Sequence, residues 1–116
     1  MSTRANIFIR DNYHDSEKQV IYSHSDGYPE GVGRDLERIF GLLSKDENGR
    51  IPSLLMDKKI MATAICEQNP DWNDTTPSSA GDAEYIYEID LERRRVDWQH
   101  LSLDGNRIEE EYLFNF

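Results

Sequence analysis

An α+β fold is what this sequence predicts: an antiparallel sheet of four or five strands packed on two helices, in the order β-β-α-α-β-β with the tail as a candidate further strand. Three observations predict it. Residues 84 to 91 and 96 to 101 alternate apolar and polar with period two, residues 4 to 11 and 18 to 24 are rich in β-branched and aromatic side chains, and residues 30 to 43 and 53 to 69 carry apolar residues at helical spacing.

The first strand is the run Arg4 to Asp11, with Ile7, Phe8 and Ile9 at its centre, and residues 12 to 17 read as a polar turn. Lys18 to His24 then returns as a second strand through Val20, Ile21 and Tyr22, close enough in sequence for an antiparallel hairpin. Pro29 opens a helix whose apolar stripe is Val32, Leu36, Ile39, Phe40 and Leu43, with Arg34, Asp35, Glu37 and Arg38 opposite. Asn48-Gly49 marks a turn, and Pro52-Ser53 opens a second helix that should stop near Asn69-Pro70.

Pro70 to Ala80 contains two prolines and no period, so it reads as a loop anchored by Trp72. Glu84 to Leu91 places Tyr85, Tyr87, Ile89 and Leu91 on one face of a strand and Ile86, Glu88 and Asp90 on the other. Glu92-Arg93-Arg94-Arg95 supplies a charged, solvated turn into Val96 to Leu101, completing a second hairpin that Asp104-Gly105-Asn106 closes. The tail Arg107 to Phe116 reads as an edge strand through Tyr112, Phe114 and Phe116, although Ile108 to Leu113 also fits a helical turn. Since Tyr85, Tyr87 and Trp98 cannot share a face with Ile86 and Leu101, an aromatic patch on the far side of the sheet is expected.

At 116 residues and 37% hydrophobic content the chain suits one domain, residues 1 to 116, rather than two. It contains no run of about 18 apolar residues and no charged-then-apolar leader, so neither a membrane span nor a signal peptide is expected, and a cytoplasmic location within a bacterial host is the default. The lone Cys66, among Met61, Ala62, Ala64 and Ile65, reads as a small core residue and can form no intrachain disulfide.

Charge narrows the function classes further. The chain holds 23 acidic and 13 basic residues, a net charge of −10, and residues 60 to 116 account for thirteen of the acids but only four of the bases. That field repels nucleic acid and anionic membranes and attracts basic surfaces. No D-x-D-x-D-G loop ending in Glu is present, so no calcium site, metal or other cofactor is expected.

The densest constellation is Ile21-Tyr22-Ser23-His24-Ser25-Asp26-Gly27-Tyr28-Pro29, followed by Gly31-Val32-Gly33. It reads first as a structural turn: Asp26-Gly27 bends the chain, with Gly27 in a conformation that side chains resist, Asp26 caps nearby amides, and Pro29 starts the helix. Gly31-Val32-Gly33 is no dinucleotide fingerprint, because Leu36 occupies the place of the third glycine. Three enzyme readings compete. Ser23 or Ser25 with His24 and Asp26 has the letters of a hydrolase triad, yet adjacent strand residues face opposite ways. His24 and Asp26 could join Glu84 or Asp82 at a metal, and Ser2 could act as an N-terminal nucleophile.

On the Ser2-Thr3-Arg4 start and the 21 to 33 segment, the chain resembles a family of small phage and prophage proteins of unknown function. Those proteins carry an Ile-Tyr-x-His-x-Asp-Gly-Tyr-Pro motif before a Val-Gly helix, and Asp82-Ala83-Glu84-Tyr85 resembles a later block of the same family. The likeness covers roughly half the chain. Many of its members have Cys and Trp where Ser23 and Ser25 stand here, so no thiol chemistry carries over. The resemblance implies a mobile-element origin and little chemistry.

The leading expectation is therefore a phage or mobile-element acidic binding protein whose partner is a host protein with a basic surface, its sharpest form an anti-CRISPR-like inhibitor that occupies a nucleic-acid-binding surface. Glu88, Asp90, Asp97, Trp98, Glu109, Glu110 and Glu111 are the expected binding residues, and a homodimer is kept open as its assembly state. The alternative is a small hydrolase or metal- or ligand-binding enzyme built on Tyr22, His24, Asp26, Tyr28 and Glu84.

Overall fold

A computed structural model describes residues 3–11, 18–44, 50–102, 104 and 106–116. The expected turns at 12 to 17 and Asn48-Gly49, together with Ser2 and Gly105, lie outside the described residues. The architecture is α+β, with a six-stranded mixed sheet and two α-helices. The strands are β1 (Ala5–Arg10), β2 (Gln19–Ser23), β3 (Asn73–Asp74), β4 (Tyr85–Asp90), β5 (Arg95–Leu101) and β6 (Arg107–Asn115), arranged β3-β2-β1-β4-β5-β6.

The expected antiparallel sheet of four or five strands needs two corrections. β1 pairs β4 in parallel, Ile7 opposite Tyr87 and Ile9 opposite Ile89, so the two hairpins join side by side through their first strands. The loop expected at 70 to 80 contributes β3, whose Asp74 and Asn73 pair Ile21 and Tyr22. The rest of that loop crosses β1 and β2. Asn6, only 3% exposed, donates its Nδ2–H to the Ala80 carbonyl at 2.8 Å and accepts the Ala80 N–H at 3.0 Å, while Thr76 Oγ1 accepts the Val20 N–H at 2.8 Å.

One turn of π-helix, Pro29–Gly33, runs without interruption into α1 (Arg34–Leu43). The second helix begins later than Pro52-Ser53 suggests: Ser53–Leu55 is a short 3₁₀ turn, and α2 is Lys58–Gln68. Asp57 caps α2, its Oδ1 accepting the N–H groups of Lys59 and Ile60, a placement that satisfies two otherwise orphan helix donors.

Both helices pack on the face formed by Ala5, Ile7, Ile9, Ile21, Tyr87, Ile89, Val96 and Trp98, where Val32, Leu36, Ile39, Phe40, Met61, Ala62 and Ile65 complete the core. The aromatic patch expected on the far face is thereby corrected. Tyr87 is fully buried, Trp98 is 7% exposed, and Tyr85 stacks on His100 at 4.5 Å on the helix side. Period two required the aromatics to share a face; the larger apolar area they bury decided which face met the helices.

Candidate functional site

The motif segment forms a tight corner between β2 and the π-turn. Asp26, not Gly27, takes the left-handed backbone conformation, with φ 55°, and its carbonyl accepts the Val32 N–H at 2.8 Å. The expected side-chain cap is therefore a main-chain one. Gly27 is required by crowding instead: a Cβ there would lie 3.0 Å from the backbone of Thr3 and Arg4, to which the Gly27 N–H is tied through the Thr3 carbonyl at 2.9 Å. Gly31 is tighter still, since its Cβ would sit 2.2 Å from the Asp26 carbonyl oxygen.

The chemistry-bearing side chains of this corner are engaged with one another. Tyr28 donates its hydroxyl to Asp26 Oδ1 at 2.9 Å, the Tyr22 hydroxyl lies 3.2 Å from His24 Nδ1, and Ser23 Oγ donates to the Ser25 carbonyl at 2.9 Å. The hydrogen bond to Asp26, and then its charge, hold the Tyr28 phenol above its ordinary value. A polar concavity of about 320 Å³ opens beside the corner, lined by His24 and Asp26 together with Asp35 from α1 and Asn69, Asp71 and Trp72 from the loop after α2.

Glu84 is not part of it. That residue lines a different, shallow depression of about 550 Å³ with Leu101, Ser102, Asp104 and Ile108, and the two concavities share no lining residue. Among the described residues no group of three His, Cys, Asp or Glu side chains is placed to hold a metal ion. Cys66 is half-buried, and burial followed by the charge of Asp74 pushes its thiol up, away from a reactive thiolate.

The acids expected to form a binding face divide into two groups. On the open face of the sheet Glu88 meets Arg10 at 3.0 Å and Lys18 at 3.5 Å, and Asp97 takes both Nε and Nη2 of Arg95, at 3.0 and 2.6 Å. Asp90 accepts the backbone N–H groups of Glu92 and Arg93, both at 3.0 Å, which fastens the β4–β5 turn, and Glu110 binds Arg107 at 2.6 Å. These four carboxylates are locally matched. Glu109 and Glu111, exposed on β6, make no ion pair with a described residue. Opposite them across the ladder lie His100 and Trp98.

Burial raises the Tyr85 phenol, and the negative charges of Glu30 in the π-turn, Glu84 just before β4 and Glu109 on β6 raise it further. Sequence reasoning missed Glu30 and the Tyr85–His100 stack. The residues are distant in the chain, and only the sheet register brings them together.

Comparison with known protein families, with curated proteins and with solved structures finds no match to this chain. Among the described residues no helix is long and apolar enough to cross a membrane.

Proposed function

We propose that this chain is a binding protein that engages a basic partner surface through its acidic C-terminal half. The observation that carries the reading is the division of its carboxylates. Glu88, Asp90, Asp97 and Glu110 are occupied by internal partners, whereas Glu109 and Glu111 stand exposed and unmatched on the last strand. Unmatched exposed charge costs the folded chain self-repulsion and stabilises nothing internal, but it steers an oppositely charged partner. A host protein whose nucleic-acid-binding surface is basic fits that chemistry, and the phage-family resemblance supplies the biological setting.

Trp98 has no place in such a surface, being buried against the helices. On β6 an exposed aromatic is Tyr112, 52% exposed, with the Arg95 guanidinium 5.1 Å from its ring. The enzyme alternative draws less support, because the hydroxyl, imidazole and carboxylate of the corner pair within the corner and Glu84 lies elsewhere.

The test is affinity capture from a bacterial host lysate with the parent chain and with Glu109→Lys/Glu111→Lys as baits, eluted by a salt gradient and identified by mass spectrometry. A basic protein that the parent retains, that salt releases and that the double variant fails to hold supports the reading. A partner held equally by both baits and indifferent to salt overturns it and redirects attention to the His24 corner.

A further inference from the structure

The two edges of the sheet differ sharply. One is β3, two residues long; the other is β6, nine residues long, whose outer backbone groups pair with no strand among the described residues. Such an edge is a ready template for another strand, and folded chains generally shorten, cover or charge it. Here the device is charge: Glu109, Glu110 and Glu111 stand consecutively at its middle. Flanking them are two of the most exposed large apolar side chains, Ile108 at 61% and Tyr112 at 52%.

We propose that β6 is a docking edge that accepts an extended basic segment of the partner as a seventh strand, and this rests on the electrostatic reading above. The occupant follows from the charges. Antiparallel pairing of two copies centred on Glu110 would set Glu109 against Glu111 and Glu110 against itself, and in-register parallel pairing would align all three, so a second copy is repelled in those registers; centred on Glu109 it would set Arg107 against Glu111, but Glu109 would still face itself and Arg107 would be drawn from Glu110. A strand with Lys or Arg opposite the glutamates inverts each of those terms. The acidic run therefore favours a basic strand over a second copy at this edge. Main-chain hydrogen bonds would supply affinity and alternate side chains specificity, as in other strand additions. The depression beside Ile108 and Leu101 lies at one end of the edge and suits an apolar side chain of the incoming segment. β6 spans about 30 Å, enough for an incoming strand of roughly eight residues.

The probe is a synthetic peptide of roughly eight residues alternating Lys with Thr or Val, titrated into the ¹⁵N-labelled full chain at low salt with amide exchange measured in parallel. Two controls accompany it: the same peptide N-methylated at every residue, which keeps charge and length but has no N–H donors, and a peptide with Glu in place of Lys. The expected result is shifts concentrated on β6, exchange of its outward amides slowed about tenfold or more, and at least about tenfold weaker binding of the methylated peptide. Glu109→Lys/Glu111→Lys, confirmed folded by circular dichroism, should lose the interaction. Equal binding of the basic and methylated peptides overturns strand addition and leaves the basic-partner reading standing. Equal binding of the Glu peptide overturns both, and no binding of any peptide overturns strand addition while the basic-partner reading rests on the capture experiment.

Discussion

The Tyr87 hydroxyl donates a 2.6 Å hydrogen bond to the Gly27 carbonyl from a fully buried position. It ties the corner after β2 to the middle of β4, sixty residues along the chain. Tyr87→Phe keeps the ring and strands the Gly27 carbonyl, so it should lower unfolding free energy by about 1 to 2 kcal/mol in a denaturant titration.

The same phenol predicts an alkaline limit. Burial, then Tyr85 and Glu30, push the Tyr87 phenol far up, so the folded chain holds a proton that the unfolded chain releases above pH of about 10. Stability is full below that value and falls as pH rises beyond it. Thermal melts between pH 8 and 11, as approximate bounds, should show the decline, and Tyr87→Phe should make it shallower.

The glycines of the corner and of α1 separate by geometry. Gly31→Ala forces a Cβ into the Asp26 backbone and should cost about 1 to 3 kcal/mol or more. Gly41→Ala, in α1 with nothing near its added carbon, should instead stabilise by about 0.5 to 1 kcal/mol. Equal melting temperatures for the two variants would contradict the corner's described packing.

Asp74 predicts the acid side. Burial works against its charge, but hydrogen bonds from Thr76 and from Gln19 at 2.8 Å outweigh that and hold its carboxyl below the ordinary value. Its contribution is present above the unfolded value of about 3.9 and is lost as pH falls through the lower folded one. Asp74→Ala should flatten that acid limb and weaken the fold by less than about 1 kcal/mol, since the exposed carboxylate is screened by solvent, read from urea melts at pH 7 and near pH 3.

Trp98→Ala belongs with stability rather than binding. Its side chain sits in the core, and its loss should cost about 3 to 5 kcal/mol, whereas Tyr112→Ala should leave the melt nearly unchanged and weaken partner binding.

Much of the fold was legible locally. The alternation of Tyr85, Tyr87, Ile89 and Leu91 marked β4, and the stripe Leu36, Ile39, Phe40 marked α1, because burial on one side leaves a period. β3 left none: both its residues are exposed, and only backbone pairing to Ile21 and Tyr22 defines it. The parallel β1–β4 pairing was illegible because it depends on where the chain returns after two helices. Counting charge by halves of the sequence likewise hid that Arg10 and Lys18, from the less acidic half, cross to Glu88. The pairs within the His24 corner were within reach, since Tyr22–His24 and Asp26–Tyr28 are each two residues apart.

In the proposed function Glu109 and Glu111 steer a basic partner. Its most direct test is the association rate constant of the captured partner, measured by stopped flow from low to high ionic strength, for the parent and for Glu109→Lys/Glu111→Lys. The parent rate should fall steeply with salt, and the variant rate should be slower at low salt and nearly flat. Superimposable salt profiles for the two chains would contradict it.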